Sequence, residues 1–283
     1  MIELGERWRD FADVYPEPER TVTGTVKVLE ALYSPQLDNR RDLLVYLPPS
    51  YGRSEARYPV LYMHDGQNLF DYLMSYAGEW GVDETLQALS NDGIEAIVVG
   101  IANLGLGRIH EYNPFADSRP QGGRGEPYLA FIVETVKPLI DQDFRTCPER
   151  AATGILGSSL GGLISLYGFF RYPQVFGLAG AMSPSLWFGD GAIFAYVRGA
   201  PYVPGKIYLD VGNHEGPRSV VAARLLRGYA SPFVRNVQRM RDLLEAKGYR
   251  MGRDLLYVED PDGVHHESAW GRRLPDALRF LLG

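Results

Sequence analysis

Residues 153–170 read TGILGSSLGGLISLYGFF and place Ser159 between two apolar runs, at the centre of a G-x-S-x-G pattern. The run before Ser159 predicts a buried strand, and the apolar residues after it recur at helical spacing. So short a link between strand and helix holds its central residue in a strained backbone conformation and requires glycine at Gly157 and Gly161. The stretch therefore predicts a sharp turn that presents the Ser159 hydroxyl at the C-terminal edge of a sheet. Ser158 fits less well, because Leu156 stands where that register needs glycine.

The remaining chain alternates between predicted strands and helices. Strands are predicted at 21–34, 41–48, 58–64, 95–101, 151–156, 177–182, 206–211 and 254–259, and helices at 83–90, 128–141, 232–247 and 275–282. Residues 102–127 predict a long loop, a feature that is often functional in compact domains. The alternation from residue 58 onward predicts an α/β fold with a mostly parallel central sheet, antiparallel N-terminal edge strands and helices on both faces. We expect residues 1–20 to form an arm and residues 21–283 a single domain.

Composition excludes several functional classes. The 283 residues carry a net charge of −6 without a basic run, so we expect neither nucleic acid nor a membrane surface as a partner. The single cysteine, Cys147, cannot form an internal disulfide, and the five histidines lack metal-ligand spacing. We therefore expect no metal and no cofactor. The charged N-terminus favours a cytoplasmic protein, although a mature secreted form would look the same. The oligomeric state is not predicted.

A serine nucleophile needs a base and an acid, and in this class of fold they follow it along the chain in the order acid, then histidine. The base belongs on the loop after the last strand, which leaves His265 or His266. The acid belongs after the preceding strand, and the candidates are Glu215 and Asp210. We prefer Glu215, because its loop position could reach the histidine, whereas Asp210 lies within the predicted strand.

The oxyanion formed during ester cleavage requires backbone N–H donors. Leu160 follows the serine at the start of the helix, and Gln67 lies in the turn after the strand at 58–64. Their two amides are the predicted oxyanion hole. Substrate-pocket candidates are Asn68, Trp80 and Trp187, although core packing would equally account for the two tryptophans.

Five segments together resemble the esterase D and enterochelin esterase-like family of α/β-hydrolases. They are YPVLYMHDGQNLFD, RIHEYNPF, GSSLGGL, YLDVGNHEG and GVHHESAW, which occur in that order and span residues 58–270. The resemblance implies an α/β-hydrolase fold with Ser159 as the nucleophile and Glu215 as the acid. It implies His265 as the base, because the family's H-N-E-x-x-W pattern places His266 at the asparagine position.

The resemblance implies a serine carboxylesterase that hydrolyses short to medium acyl esters, or aryl-acyl esters, of small molecules through an acyl-enzyme. Members of the family also include acyltransferases, siderophore esterases and esterases that release feruloyl or acetyl groups from sugars. These activities remain alternatives for this chain. A non-catalytic binding protein built on a hydrolase scaffold is the further alternative, against which the complete set of candidate residues argues.

Overall fold

The structure is a computed structural model that describes residues 7–116, 122–216 and 231–283. Its strands form one nine-stranded sheet in the order β1-β2-β3-β5-β4-β6-β7-β8-β9. Their bounds are β1 Arg9–Asp10, β2 Thr25–Ser34, β3 Asn39–Leu47, β4 Val60–His64, β5 Ile97–Ile101, β6 Thr153–Ser158, β7 Leu178–Met182, β8 Lys206–Gly212 and β9 Leu255–Asp260.

The sheet changes from antiparallel to parallel pairing at β5. Strands β1, β2, β3 and β5 pair antiparallel in that spatial order, and every neighbouring pair from β5 through β4 to β9 is parallel. The predicted fold class, with its antiparallel N-terminal edge, is confirmed. Because β4 to β9 are parallel, their C-terminal ends meet at one edge of the sheet, where α/β folds build their sites.

Helices cover both faces of this sheet. Their bounds are α1 Phe11–Val14, α2 Val82–Leu89, α3 Arg108–Glu111, α4 Gly125–Ala130, α5 Lys137–Asp143, α6 Leu160–Arg171, α7 Ala192–Gly199, α8 Pro232–Lys247 and α9 Glu267–Leu282, and the π-helical segment Phe131–Val136 joins α4 to α5. One core cluster contains side chains of α4 to α8, and the other contains those of α2 and α9. Tyr62 belongs to the first cluster and its neighbours Leu61 and Met63 to the second, as the two-residue period of a strand requires.

Three regions differ from the sequence prediction. The supposed loop at 102–127 contains α3 and the first residues of α4. Helix α7 was not predicted. Helix α9 starts at Glu267 rather than Pro275, because the His266 side chain caps its N-terminus by accepting a hydrogen bond from the Ser268 amide. Pro275 consequently lies inside the helix, a position that sequence rules read as a helix start.

The described part of the predicted arm packs on the edge of the sheet. Arg9 pairs with Val28 of β2. Trp8 and Phe11 are buried, and Trp8 Nε1 donates a hydrogen bond to Asp143 at 2.8 Å. Within residues 7–20, therefore, the chain contributes side chains to the cores of the same unit as the sheet.

Candidate active site

Ser159 occupies the turn between β6 and α6 with φ 58° and ψ −118°. This is a backbone conformation that residues with a side chain rarely adopt. A Cβ atom at Gly157 would lie 2.7 Å from the His64 ring and 3.0 Å from the carbonyl carbon of Gly161. Close packing therefore requires glycine at position 157, as the sequence pattern predicted, and a Cβ atom at Gly161 would lie 3.3 Å from the Cβ of His64, a tight contact.

The Ser159 hydroxyl lies beside the imidazole of His265. His265 Nε2 is 2.9 Å from Ser159 Oγ, and its Nδ1 is 3.0 Å from Glu215 Oε2. With the proton on Nδ1, the ring donates to the carboxylate and accepts from the hydroxyl. Glu215 is buried, whereas the His265 side chain is 31% exposed. The structure thus brings the three predicted residues into one hydrogen-bonded chain.

The second candidate for the acid, Asp210, has a different set of partners. It is fully buried within β8, where it accepts hydrogen bonds from Arg273 Nε at 2.8 Å and from the Ser183 amide at 2.8 Å. Burial raises the pKa of Asp210, and the charge of Arg273 opposes that rise. The structure pairs Asp210 with Arg273, and it is Glu215 that contacts His265.

Ser183 holds the Glu215 carboxylate and was not among the predicted catalytic residues. Its hydroxyl donates to Glu215 Oε1 at 2.5 Å and accepts from Trp270 Nε1 at 3.0 Å and Arg273 Nη2 at 2.9 Å. The Gly212 amide donates to the same carboxylate oxygen at 2.8 Å. Ser183 itself has a φ of 42°. The buried carboxylate therefore has donors on both oxygens, which fixes its orientation toward His265.

The loop after β7 also contacts Ser159 directly. Ser185 Oγ is 3.1 Å from Ser159 Oγ, and the Ser185 amide donates to the Ser159 carbonyl at 2.9 Å. The Ser159 amide donates to the Met182 carbonyl at 2.9 Å. These contacts clamp the strained turn. From this loop, the sequence analysis selected only Trp187, as a pocket candidate.

The predicted oxyanion donors lie on two turns at the same edge of the sheet. Leu160 is the first residue of α6, so its amide has no acceptor within the helix and lies at the positive end of the helix dipole. Gln67 lies in the 3₁₀ turn Gly66–Asn68, directly after β4. Since β4 pairs with β6 in parallel, this turn and the Ser159 turn are neighbours.

An ion pair fixes the turn that carries Gln67. Asp65, with φ 57°, accepts two hydrogen bonds from Arg108, both at 2.7 Å, and a third from Asn103 Nδ2 at 2.7 Å. Burial raises the pKa of Asp65, but the charge and hydrogen bonds of Arg108 outweigh it and leave that pKa below its usual value. Neither Asp65 nor Arg108 was among the predicted site residues, although both lie in segments that carried the family resemblance.

The three predicted pocket residues are placed differently. Asn68 is buried, and its side chain accepts from the Tyr76 amide at 3.1 Å. Trp80 is buried with its ring 5.7 Å from that of Trp270. Trp187 is 42% exposed, and its ring lies 6.4 Å from that of Phe233, which itself lies 5.0 Å from His265. Asn68 and Trp80 are therefore buried beneath the site, and Trp187 lies at its exposed rim.

An open depression of about 440 Å³ adjoins the residue that follows Ser159. Its walls are Gly105, Leu106, Arg108, Ile109, His110 and Leu160. A second depression, of about 400 Å³, lies against the start of β2 and is lined by residues such as Phe11 and Tyr15. Only the first includes a residue of the candidate site.

Comparison with known proteins identifies the family. The chain matches the family model described as "Putative esterase" over residues 34–281. It belongs to this family. The chain is thus an esterase of the α/β-hydrolase fold, an enzyme that acts on carboxylic ester bonds.

Individual proteins and solved structures are similar to this chain. This esterase is 28% identical over 251 residues to the uncharacterized protein YbbA of Bacillus subtilis strain 168, a match that covers 87% of this chain and 93% of that protein. It is 31% identical over 159 residues to the iron(III) salmochelin esterase of Escherichia coli O6:H1, covering 55% of this chain and 32% of that protein. An IroE-like serine hydrolase from Shewanella oneidensis has the same fold, with a TM-score of 0.71 at 22% identity over 91% of this chain and 80% of that one.

The described helices include none with the length and apolar character needed to cross a membrane.

Proposed function

We propose that this esterase is a serine carboxylesterase in which Ser159, His265 and Glu215 are the catalytic triad. The observation that supports this most strongly is the continuous chain of contacts, 2.9 Å from Ser159 to His265 and 3.0 Å from His265 to Glu215. A serine hydroxyl is a weak nucleophile until a base accepts its proton, and Nε2 of His265 is within reach to do so.

The reaction proceeds in two halves. Ser159 Oγ attacks the ester carbonyl carbon while its proton moves to His265 Nε2, and the buried Glu215 carboxylate stabilises the resulting imidazolium. The tetrahedral intermediate collapses, His265 returns the proton to the leaving alcohol, and an acyl-Ser159 ester remains. Water then attacks this ester with His265 again as base, which releases the carboxylic acid and restores Ser159.

The oxyanion of each tetrahedral intermediate would be stabilised by the amides of Leu160 and Gln67. The Leu160 amide begins a helix of twelve residues, whose dipole favours negative charge at this end. Gln67 is supported by a turn that the Asp65–Arg108 ion pair holds in place. Two preorganised donors of this kind stabilise charge that develops only in the transition state.

The proposed substrates are small-molecule esters with short to medium acyl groups or aryl-acyl groups. The depression beside Leu160 falls toward the small end of ligand-pocket volumes, which run from about 300 to 1,000 Å³, and Leu106 and Ile109 give it apolar walls. Aromatic rings of Phe233 and Trp187 extend from His265 on another side.

Kinetics on a panel of esters test this proposal. We would measure kcat/KM for p-nitrophenyl esters of increasing chain length, for a feruloyl ester and for an acetylated sugar, with a competing alcohol present to detect acyl transfer. Ser159→Ala should lower kcat/KM at least about a thousandfold on every substrate that is turned over. Ser158→Ala, one residue away, is the matched control and should retain activity. A Ser159→Ala variant within tenfold of wild type would refute the assignment.

A further inference from the structure

A group of carboxylates lies where the chain enters α2. Glu79, Asp83 and Glu84 each place a carboxylate oxygen within 4.8 Å of the others. Asp83 is fully buried, Glu79 is half-buried and Glu84 is exposed. These residues make no contact with the proposed triad and have no part in the mechanism above. Carboxylates packed this closely need a positive charge or a proton between them.

Two threonines donate hydrogen bonds to one carboxylate oxygen of Glu79 and one of Asp83. The other oxygen of each carboxylate has no donor. Thr21 Oγ donates to Glu79 Oε2 at 2.8 Å, and the Thr23 amide donates to Asp83 Oδ2 at 2.6 Å. The second oxygens, Glu79 Oε1 and Asp83 Oδ1, are buried and have no hydrogen-bond partner. Buried polar atoms in folded proteins are almost always satisfied, so two orphaned acceptors in one cluster indicate a bound group.

The electrostatic surroundings of the cluster do not supply that charge. Among the described residues, the donors to Glu79 and Asp83 are the Thr21 hydroxyl and the amide and hydroxyl of Thr23, all of which are neutral. The cluster therefore differs from the buried carboxylates Asp65 and Asp210, each of which has an arginine partner.

We propose that Glu79, Asp83 and Glu84 bind a calcium ion. Calcium takes carboxylate oxygens at about 2.3–2.6 Å, so two oxygens on one ion lie no more than about 5 Å apart, which agrees with the observed spacing. The exposed Glu84 leaves the ion open to water, which would complete a shell of six to eight oxygens. Magnesium demands near-ideal octahedral geometry and keeps most of its waters, so it fits a cluster of protein carboxylates less well.

Such an ion would fix the segment that connects the Gln67 turn to α2. Glu79 precedes Trp80, whose ring packs against Trp270, and the Trp270 ring lies 5.0 Å from that of His265. The site is nevertheless separate from the reacting atoms. We therefore expect calcium to change stability more than turnover.

Terbium luminescence and thermal unfolding on the full chain test the site. Tb³⁺ replaces Ca²⁺ at oxygen sites, and Trp80, adjacent to Glu79, can sensitise its emission. We expect saturable emission with one ion per chain that Ca²⁺ displaces, and a rise in Tm of about 5 °C at a Ca²⁺ concentration about 100-fold above its Kd. Mg²⁺ should give a smaller shift.

Asp83→Asn and Glu79→Gln keep the side-chain shapes and remove one ligand charge each. Both should lose the terbium signal and the Ca²⁺-dependent rise in Tm, while their Tm in EDTA shows that they fold. Glu55→Gln, which removes an exposed carboxylate elsewhere, is the matched control and should keep both responses. Absence of both responses in the wild type, or their persistence in Asp83→Asn and Glu79→Gln, would overturn the proposal in favour of a shared proton. Esterase activity is assayed separately, so failure here leaves the triad proposal untouched.

Discussion

Two arginine–aspartate pairs flank Ser159, and they differ in what they support. Asp210 and Arg273 lie on the side of the proposed acid, where Arg273 also contacts Ser183, the residue that donates to Glu215. Asp65 and Arg108 lie on the side of the proposed oxyanion turn. The Arg273 side chain is 6% exposed. The Arg108 side chain is 24% exposed and lines the depression beside Leu160.

The two aspartates also differ in their pKa. Both are buried, which raises the pKa of each, but the pKa of Asp65 ends below its ordinary value and that of Asp210 above it. Each arginine donates to both oxygens of its aspartate, but Arg273 also donates to Asp260 and Ser183. The acid side is therefore a dry network that fixes geometry, and the oxyanion side is a local clamp that remains open to substrate.

The largest effect should follow from breaking the acid side at Glu215. Glu215→Gln keeps the size of the side chain but cannot stabilise an imidazolium, and the amide can hold the wrong tautomer of His265. We expect kcat to fall about 10³- to 10⁴-fold with little change in KM. Steady-state kinetics on a p-nitrophenyl ester measure this, with Asp210→Asn as the comparison. If Asp210→Asn lost as much kcat without losing stability, the assignment of Glu215 as the acid would fail.

Replacing each arginine by methionine compares the two pairs directly. Arg273→Met leaves Asp210 buried without its partner and should lower the free energy of unfolding by about 3–5 kcal/mol. Position 108 lines the depression, so water can reach Asp65 in Arg108→Met. The free energy of unfolding should therefore fall less than in Arg273→Met. Urea unfolding gives both values, and kcat/KM of Arg108→Met should still fall because the Gln67 turn loses its clamp. Equal losses of stability would contradict the distinction between a dry network and an open clamp.

His64 adds a pH dependence to the oxyanion side. Burial lowers the pKa of His64 to about 3, and its Nδ1 lies 2.8 Å from the Tyr128 hydroxyl. In the unfolded chain His64 takes up a proton near pH 6.5, whereas in the folded chain it does not. The free energy of unfolding is therefore unaffected by His64 above that pH. It falls on acidification toward pH 3, at about 1.4 kcal/mol per pH unit.

His64→Gln should remove this contribution. Urea midpoints measured between neutral and mildly acid pH should decline less steeply in the variant than in the wild type. His214→Gln, a change at an exposed histidine, should follow the wild type. Parallel curves for wild type and His64→Gln would show that His64 takes up a proton in the folded state.

The smallest effect should come from Ser183→Ala. It removes one donor to Glu215 but leaves the Gly212 amide in place, so we expect kcat to fall about tenfold, the cost of one hydrogen bond. KM should not change, because Ser183 is a buried positioning residue that does not touch substrate. The conservative variant Ser183→Thr should recover part of kcat if it folds with the same Tm. A change in KM instead would place Ser183 on the substrate side.

Residues that occupy the ends of strands could be predicted from the sequence. Ser159, Glu215 and His265 follow β6, β8 and β9, and parallel pairing brings residues 50 and 106 positions apart in the chain to one edge. Glycine spacing selected Ser159, and chain order favoured Glu215 over Asp210 and left His265 or His266 as the base. Only the family resemblance chose His265. Gln67 and Leu160 were selected by their positions in the chain, and their role stays a prediction.

The supporting residues could not be predicted in this way. Arg273 lies in α9, which the sequence pattern predicted to begin only at Pro275. No sequence feature therefore indicated that Arg273 packs against β8. Ser183 and Asp65 adopt positive φ without being glycine, which local propensity disfavours and tertiary packing imposes. Arg108 falls in a region rich in glycine and proline that predicted a loop, where α3 in fact orients it.

The most direct test of the account is the identity of the acylated residue. Rapid mixing with a p-nitrophenyl ester should give a burst of about one p-nitrophenolate per chain. Peptide mass mapping after reaction with a fluorophosphonate should place the label on Ser159 alone, with no burst and no label in Ser159→Ala. A label on Ser185 or Ser158, or a full burst from Ser159→Ala, would contradict the central claim.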